Sequence, residues 1–431
     1  MTLKAIFLHG TVVIDGFLVA PLGEVAIAAM GVAGAIGGII IGFIFAFAHA
    51  IQIRAAQAFG HGDQIFLKSV LVSGFTVSMA IGCVGVTIIL VLGESFVTAL
   101  APTTQIAQEA WSYLLIFCAV IIGQAIGTSI VTYFNGCGRT KIPLIGYCLS
   151  VPINIVSSFA LIYGAWGFPE LGVAGAAWGT ALGVFVQAVY LIAQLHRTDG
   201  HLRKLNGWRN GTLGTTLTRH VVFSVPIAAT FISANFARHV CVLIYAKMAL
   251  PAFAALTLIM PWNMVAGQIS MQWTQATGIF VAQMLGNQSG ETALDRFIKS
   301  AWRGAFVTSA LVALVFVFMC LSLNWIYPDL TPETRAILFG FLPVLVLIQP
   351  IRATNALCGN TLRASGDTIY VMHLFIWSQW AVRVPLTALL VLYFNVSAFW
   401  ILAVLLLEEV VKFPFFHRRM FQGRWKTAVI D

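Results

Sequence analysis

Apolar runs of about twenty residues recur along the whole chain, and this repetition restricts the fold more than any other feature. A hydrocarbon slab ~30 Å thick needs about 20 residues at a helical rise of ~1.5 Å each. Backbone amides crossing it must bond within their own segment, so a run of this length reads as a membrane-spanning helix. The runs and their breaks predict about twelve spans, roughly 3–20, 25–53, 65–92, 108–134, 142–164, 171–195, 219–247, 252–284, 298–323, 335–360, 369–394 and 397–416. Of 431 residues, 59% are hydrophobic and only 9% charged, with a mean hydropathy of +0.91, more apolar surface than a soluble core buries. The expected class is an all-α polytopic membrane protein.

Polar segments give that count an orientation. The longest interruption, His196 to Arg219, falls midway and is basic. It divides the chain into an N-lobe of six spans (1–195), a cytoplasmic linker (196–218), a C-lobe of six spans (219–416) and a basic tail (417–431). With both termini cytoplasmic, the inner segments hold ten Lys and Arg in the first half and nine in the second. Arg54, Arg363 and Lys412 are counted among these, which make up 19 of the 24. The outer turns near 21–24, 93–107, 165–170 and 395 hold none, as the positive-inside rule requires. The formal charge of +9 is therefore loop charge of an inner or plasma membrane protein, not a nucleic-acid footprint. The seven cysteines show no CxxC spacing and read as packing residues. The first run has only about 18 residues before Pro21, so its start is expected upstream. Asp15 within the run, and the lack of an Ala-x-Ala site, argue against a signal peptide.

The halves echo one another. Ala56-Gln57-Ala58-Phe59-Gly60 returns as Ala282-Gln283-Met284-Leu285-Gly286, offset by 226, and Gly138-Arg139-Thr140 returns as Gly366-Asp367-Thr368, offset by 228. An even number of spans per half makes the repeat parallel, with the lobes related by a pseudo-two-fold along the membrane normal.

One residue resists this polar-loop, apolar-span division. Asp15 lies in the middle of Leu8–Gly23, LHGTVVIDGFLVAPLG, whereas the other carboxylates of the first 350 residues fit turns or loops. A lone charge in hydrocarbon costs roughly 2.5–3.5 kcal/mol on insertion scales, so such groups usually face a cavity and do work. The bland alternative is a helix-end carboxylate reaching the interface beside Pro21-Leu22-Gly23.

Four stretches carry a resemblance: AAQAFGHGD (Ala55–Asp63), FPELGVAGAAWGT (Phe168–Thr180), VAQMLGNQSGE (Val281–Glu291) and LRASGDT (Leu362–Thr368). In order and spacing, over nearly the whole chain, they resemble the multidrug and toxic compound extrusion (MATE) family, with mixed NorM-like and DinF-like features. The resemblance implies twelve helices in two lobes and cation-driven export of organic compounds by alternating access. It also implies a cation-coupling cluster, onto which Asp15, Asn154 and Thr180 map, with Ser158 at a position where some members have a second acid. At the acidic C-lobe positions of the NorM-like branch this chain has Ala234 or Asn235 and Arg352, so no cation site is expected there. Arg352, Asn355 and Gln124 are the cargo-cavity candidates.

Depth arithmetic agrees for the N-lobe. Asn154 lies 13 residues before a turn centred at Gly167 and Thr180 lies 13 after it, so antiparallel neighbours bring them level. A carboxylate, an amide and hydroxyls are hard oxygen ligands suited to H⁺ or Na⁺ and not to a transition metal. The bland reading of Asn154 and Thr180 is interhelical hydrogen bonding. In the C-lobe, Arg352 has no obvious partner, and the reading is either a snorkelling or carbonyl-capped arginine or a positive wall favouring anionic or zwitterionic cargo. Arg383 lies 12 residues before the turn at Asn395 and Glu408 lies 13 after it, which predicts a structural ion pair, or failing the right face one with Glu409.

These observations predict a cation-coupled antiporter working on small organic molecules in the bilayer. The expected coupling ion is H⁺ or Na⁺, with no other cofactor, no nucleic-acid partner and a monomeric state. The alternatives are a flippase for amphipathic or lipid-linked metabolites, or an integral-membrane enzyme. The enzyme reading lacks support, since no HExxH, GxSxG or Walker lysine loop occurs.

Overall fold

The computed structural model describes residues 11, 13–198, 212–328 and 330–426, which are helical almost throughout. Among these residues twelve principal helices follow one another. They are α1 (Val13–Leu22), α2 (Glu24–His61), α3 (Gln64–Leu100), α4 (Thr104–Gly136), α5 (Lys141–Tyr163), α6 (Val173–Thr198), α7 (Thr212–Tyr245), α8 (Leu250–Gly286), α9 (Glu291–Leu321), α10 (Pro332–Ala364), α11 (Thr368–Leu392) and α12 (Ala398–Phe421). The ten helices α2 to α11 are long and apolar enough to cross a membrane. In α12 the apolar pattern is interrupted by Glu408, Glu409 and Lys412. Residues 3–10 and 12 of the expected first span lie outside the described residues.

Helices outrun the apolar runs that predict them. The segment 93–107, expected as an outer turn, is helix except for 101–103: α3 continues to Leu100, and Thr103 caps α4 by accepting from the Ile106 amide at 3.3 Å. Glu94 stays exposed there, and the Thr98 hydroxyl donates back to its carbonyl at 2.8 Å, so polar residues need not end the helix. The expected linker 196–218 is likewise shortened by helix to Thr198 and from Thr212; residues 199–211 lie outside the described set. The echoed Gly138 and Gly366 follow the ends of α4 and α10 with φ of 74° and 91°, a conformation that costs glycine nothing and other residues a clash.

The helices gather into two compact units, one running to Ala228 apart from residues 60–62, the other from Ala229 onward with 60–62. The border falls inside α7, two residues beyond Pro226, which removes a helical hydrogen bond at that point. The core of the first unit packs Val19, Ala26, Ile44, Leu114, Ile162 and Ala176. That of the second packs Cys241, Phe316, Phe341, Leu345 and Ile401. Large apolar side chains such as Phe17, Val91, Leu243 and Phe318 point outward, as a lipid-facing surface requires.

Candidate functional site

In the first unit, glycines decide how closely α5 and α6 approach. Gly175, Gly179 and Gly183 repeat every four residues along one face of α6. A Cβ on Gly179 would lie 2.5 Å from the Ser158 amide nitrogen, one on Gly175 2.5 Å from the Leu161 carbonyl carbon, and one on Gly183 3.0 Å from Asn154 Cβ. Small residues at this spacing let backbones touch, as in membrane helix pairs generally. The contact brings Asn154 and Ser158 beside Thr180. From the other side, the Tyr163 hydroxyl donates to the Leu18 carbonyl at 2.6 Å and ties the end of α1 to α5.

Asp15 is thereby set, 7% exposed, among the residues expected to meet it. Thr180 Oγ1 donates to Asp15 Oδ2 at 3.1 Å, Ser158 Oγ to Asp15 Oδ1 at 3.4 Å, and Asn154 Nδ2 to Thr180 Oγ1 at 3.1 Å. No lysine, arginine or histidine forms an ion pair with Asp15 among the described residues. Asn154 Oδ1 is buried and makes no hydrogen bond among the described residues. Thr180 has a single proton, yet the Ala176 carbonyl at 3.0 Å lies as near to its oxygen as Asp15 does. The hydroxyl therefore donates to one or the other. Gln124, on α4, is half-buried and its Oε1 accepts from Thr128 at 3.3 Å.

The second unit holds charge differently. Lys412 Nζ lies 3.0 Å from Glu408 Oε1 and 3.0 Å from Glu409 Oε1, with 2% of the residue exposed. Arg383 Nη1 is 3.9 Å from Glu408 Oε2, so the expected pair meets at the outer limit of an ion pair, with Lys412 the nearer partner. Arg352, expected without a partner, has two: its Nη1 donates to Asn263 Oδ1 at 2.9 Å and its Nε lies 3.8 Å from Glu409 Oε1. Asn355 is 1% exposed, and its amide donates to the Glu409 carbonyl and Oε2 at 2.8 and 2.9 Å. Ser378 and Arg383 bound a π-helical stretch of α11 just before Pro385, whose ring opposes the carbonyl four residues back and widens the turn.

Counting loop charges misplaces three cations. Lys412, Arg54 and Arg363 are buried in helices rather than set in inner loops, with Arg54 1% and Arg363 8% exposed. Arg54 lies over the rings of Phe66 and Phe223, and Arg363 over those of Phe231 and Phe375. Lys412 could have been found from its spacing, three and four residues after the two glutamates on one helix. No sequence signal points to Asn263.

The family model described as MatE matches residues 2–160 and 226–389. The uncharacterized transporter YisQ of Bacillus subtilis (strain 168) is 23% identical over 413 residues, covering 90% of this chain and 85% of that protein. A probable multidrug resistance protein NorM of Thermotoga maritima is 27% identical over 347 residues, covering 76% and 69%. Among solved structures, MATE in the bent conformation matches with a TM-score of 0.85 at 17% identity, covering all of this chain and 95% of that one. A MOP superfamily transporter from Pyrococcus furiosus matches with a TM-score of 0.81 at 16% identity, covering 98% and 94%.

Proposed function

The chain belongs to the MatE family, and on that premise we propose that it is a cation-coupled antiporter that exports small organic compounds by alternating access. The observation that carries this reading is Asp15, a buried carboxylate with no cationic side chain paired to it among the described residues. Its charge in a span is stable only when something mobile meets it. Asp15, the free oxygen of Asn154 and the hydroxyls of Ser158 and Thr180 offer hard oxygen ligands for H⁺ or Na⁺. The names of relatives, probable multidrug resistance proteins among them, support organic cargo.

Occupancy of Asp15 is read out by Thr180. With Asp15 ionised, the Thr180 hydroxyl donates to the carboxylate. Once Asp15 carries a proton it donates to Thr180, whose own proton turns to the Ala176 carbonyl in α6. With Na⁺ bound, carboxylate lone pairs are taken by the ion and the same turn is favoured. Uptake of the ion thus changes the bonding between α1, α5 and α6 and drives the switch between outward and inward states. The membrane potential supplies ~2.3 kcal/mol per charge per 100 mV. This scheme belongs in an inner or plasma membrane, with both termini cytoplasmic and lobes of 1–195 and 219–416 working as one monomer.

Efflux of a mixed compound panel from proteoliposomes, with ΔpH and ΔNa⁺ imposed in turn, tests the reading. Wild type is expected to export at least one compound under one of the gradients. Asp15→Asn is expected to insert normally, keep part of its cargo binding and lose gradient-driven export. Undiminished export by that variant removes Asp15 from coupling.

A further inference from the structure

The charged cluster of the second unit has a cation too many. Glu408 and Glu409 face Lys412, Arg383 and Arg352, three cations against two carboxylates. Lys412 lies 3.0 Å from both acids, and Arg383 lies 3.9 Å from Glu408, so these two cations already balance the pair. Asn355 adds two hydrogen bonds to Glu409. Arg352 is the surplus. Its Nε, at 3.8 Å from Glu409, is beyond hydrogen-bond range.

Arg352 is also the cation of the three best placed to meet something else. Its side chain is 31% exposed, against 15% for Arg383 and 3% for Lys412. A guanidinium has five N–H donors in a planar fork. Arg352 makes one hydrogen bond, from Nη1 to Asn263 Oδ1 at 2.9 Å, which fixes the plane of the fork and leaves four donors uncommitted among the described residues. A fork held by one edge and open on the other matches the two oxygens of a carboxylate. The positive excess around the two glutamates matches an anionic group.

We propose that Arg352, oriented by Asn263, is a cargo-recognition residue of the second unit that takes the carboxylate of an organic anion or zwitterion. The inference rests on the exporter reading above and adds the class of cargo to it. Glu409 contributes by position: at 3.8 Å it draws the guanidinium toward the helix pair without occupying the fork. Asn355 lies behind Glu409, turned into the cluster, and acts on cargo only through it.

Binding to the detergent-solubilised full chain separates this inference from the transport reading. The probes are 1-pyrenebutyrate as carboxylate, norfloxacin as zwitterion and ethidium as cation, each titrated by fluorescence. Wild type is expected to bind pyrenebutyrate and norfloxacin. Arg352→Gln is expected to weaken both about tenfold or more while changing ethidium affinity less than about twofold. Arg352→Lys, which keeps the charge and loses the fork, should fall between them. Arg352→Gln leaves Lys412 and Arg383 against the two acids, so its folding is expected to be retained, and Asn263→Ala gives a second variant that leaves every charge in place. It should weaken the two carboxylate probes and spare ethidium. If wild type binds ethidium but neither carboxylate, or if the variants weaken all three probes alike, the proposal is overturned. Failure of every probe to cross proteoliposomes under either gradient, with carboxylate binding intact, would instead overturn the exporter reading alone.

Discussion

Asp15 and the Glu408–Glu409 pair are carboxylates buried in helices, and the protein holds them in opposite ways. Among the described residues the groups bonded around Asp15 are neutral: Thr180 and Ser158 donate single hydrogen bonds at 3.1 and 3.4 Å, and Asn154 braces Thr180. Around the glutamates the neighbours are charged, with Lys412 at 3.0 Å from each. A tethered ammonium neutralises at all times, whereas hydroxyls and an amide only reduce the cost of the charge. The first arrangement leaves its charge open to an ion from solution, and the second already contains its counter-charge. Covalent attachment of the counter-charge thus separates a site suited to exchange from one suited to holding helices together.

The largest expected effects sharpen that contrast. Asp15→Asn should end gradient-driven export while leaving the melting temperature close to wild type, because no fixed charge loses its partner. Lys412→Met should do the reverse of sparing the fold. It leaves Glu408 and Glu409 with only Arg383 and Arg352 at 3.9 and 3.8 Å. Breaking a buried ion pair from one side costs ~3–5 kcal/mol, seen as lower folded yield and melting temperature. Adding Glu408→Gln and Arg383→Gln to Lys412→Met should recover part of the loss, since Glu409 then faces Arg352 one to one. The single variant should also acquire a melting temperature that rises with Na⁺, because its glutamates now resemble Asp15. If Lys412→Met melts like wild type and ignores Na⁺, the tethered-cation account is wrong.

A smaller effect probes the scaffold of the first site. Gly179→Ala places a Cβ 2.5 Å from the Ser158 amide nitrogen, a position backbone atoms cannot yield by side-chain rotation. Overpacking of this kind costs about 1–3 kcal/mol. As α5 and α6 move apart, Ser158 and Thr180 should no longer reach Asp15 together. The expected result is a modest fall in melting temperature and a larger fall in coupled export. Unchanged coupling would mean that the close α5–α6 contact is not what arranges the hydroxyls.

Much of this is legible in the chain before any coordinates. Apolar run length fixes the helices, and equal counting from Gly167 brings Asn154 level with Thr180, because depth along antiparallel helices depends only on rise per residue. Asp15 stands out because it breaks an apolar run. Helix ends are less legible: α3 runs on through Glu94 to Leu100, since a helix beyond the apolar slab needs only solvent for its polar side chains. The second unit is less legible for a related reason. Arg363, like Arg54 in the first unit, looks like a loop cation at the end of an apolar run, and only three-dimensional neighbours show that phenyl rings enclose it. Asn263 and Arg352 are 89 positions apart, and no periodicity links them.

The smallest expected effect concerns charge that is neither exchangeable nor buried. Lys426, beyond the end of α12, lies 2.8 Å from Asp295 Oδ1 and 3.7 Å from Glu291 Oε2 in the first turns of α9. The side chains of the two acids are 50% and 68% exposed, so water competes for every partner. Pairs of this kind contribute between nothing and about 1 kcal/mol. The hydrogen bond to Asp295 nevertheless holds the Lys426 ammonium above the usual lysine range. A raised value means the contribution is complete at pH below that of a free lysine, and is lost only as pH climbs through the raised one. Lys426→Ala should therefore lower the melting temperature slightly, by the same amount from neutral to mildly alkaline pH. In 1 M salt, where the screening length falls to about 3 Å, the difference from wild type should vanish. The loss in Lys412→Met should persist in the same salt if it acts through buried charge, unless Na⁺ itself fills the place of the ammonium; choline chloride, too large to enter, separates screening from site filling. A Lys426→Ala loss as large and as salt-resistant as that of Lys412→Met in choline would mean that burial is not what distinguishes the two kinds of pair.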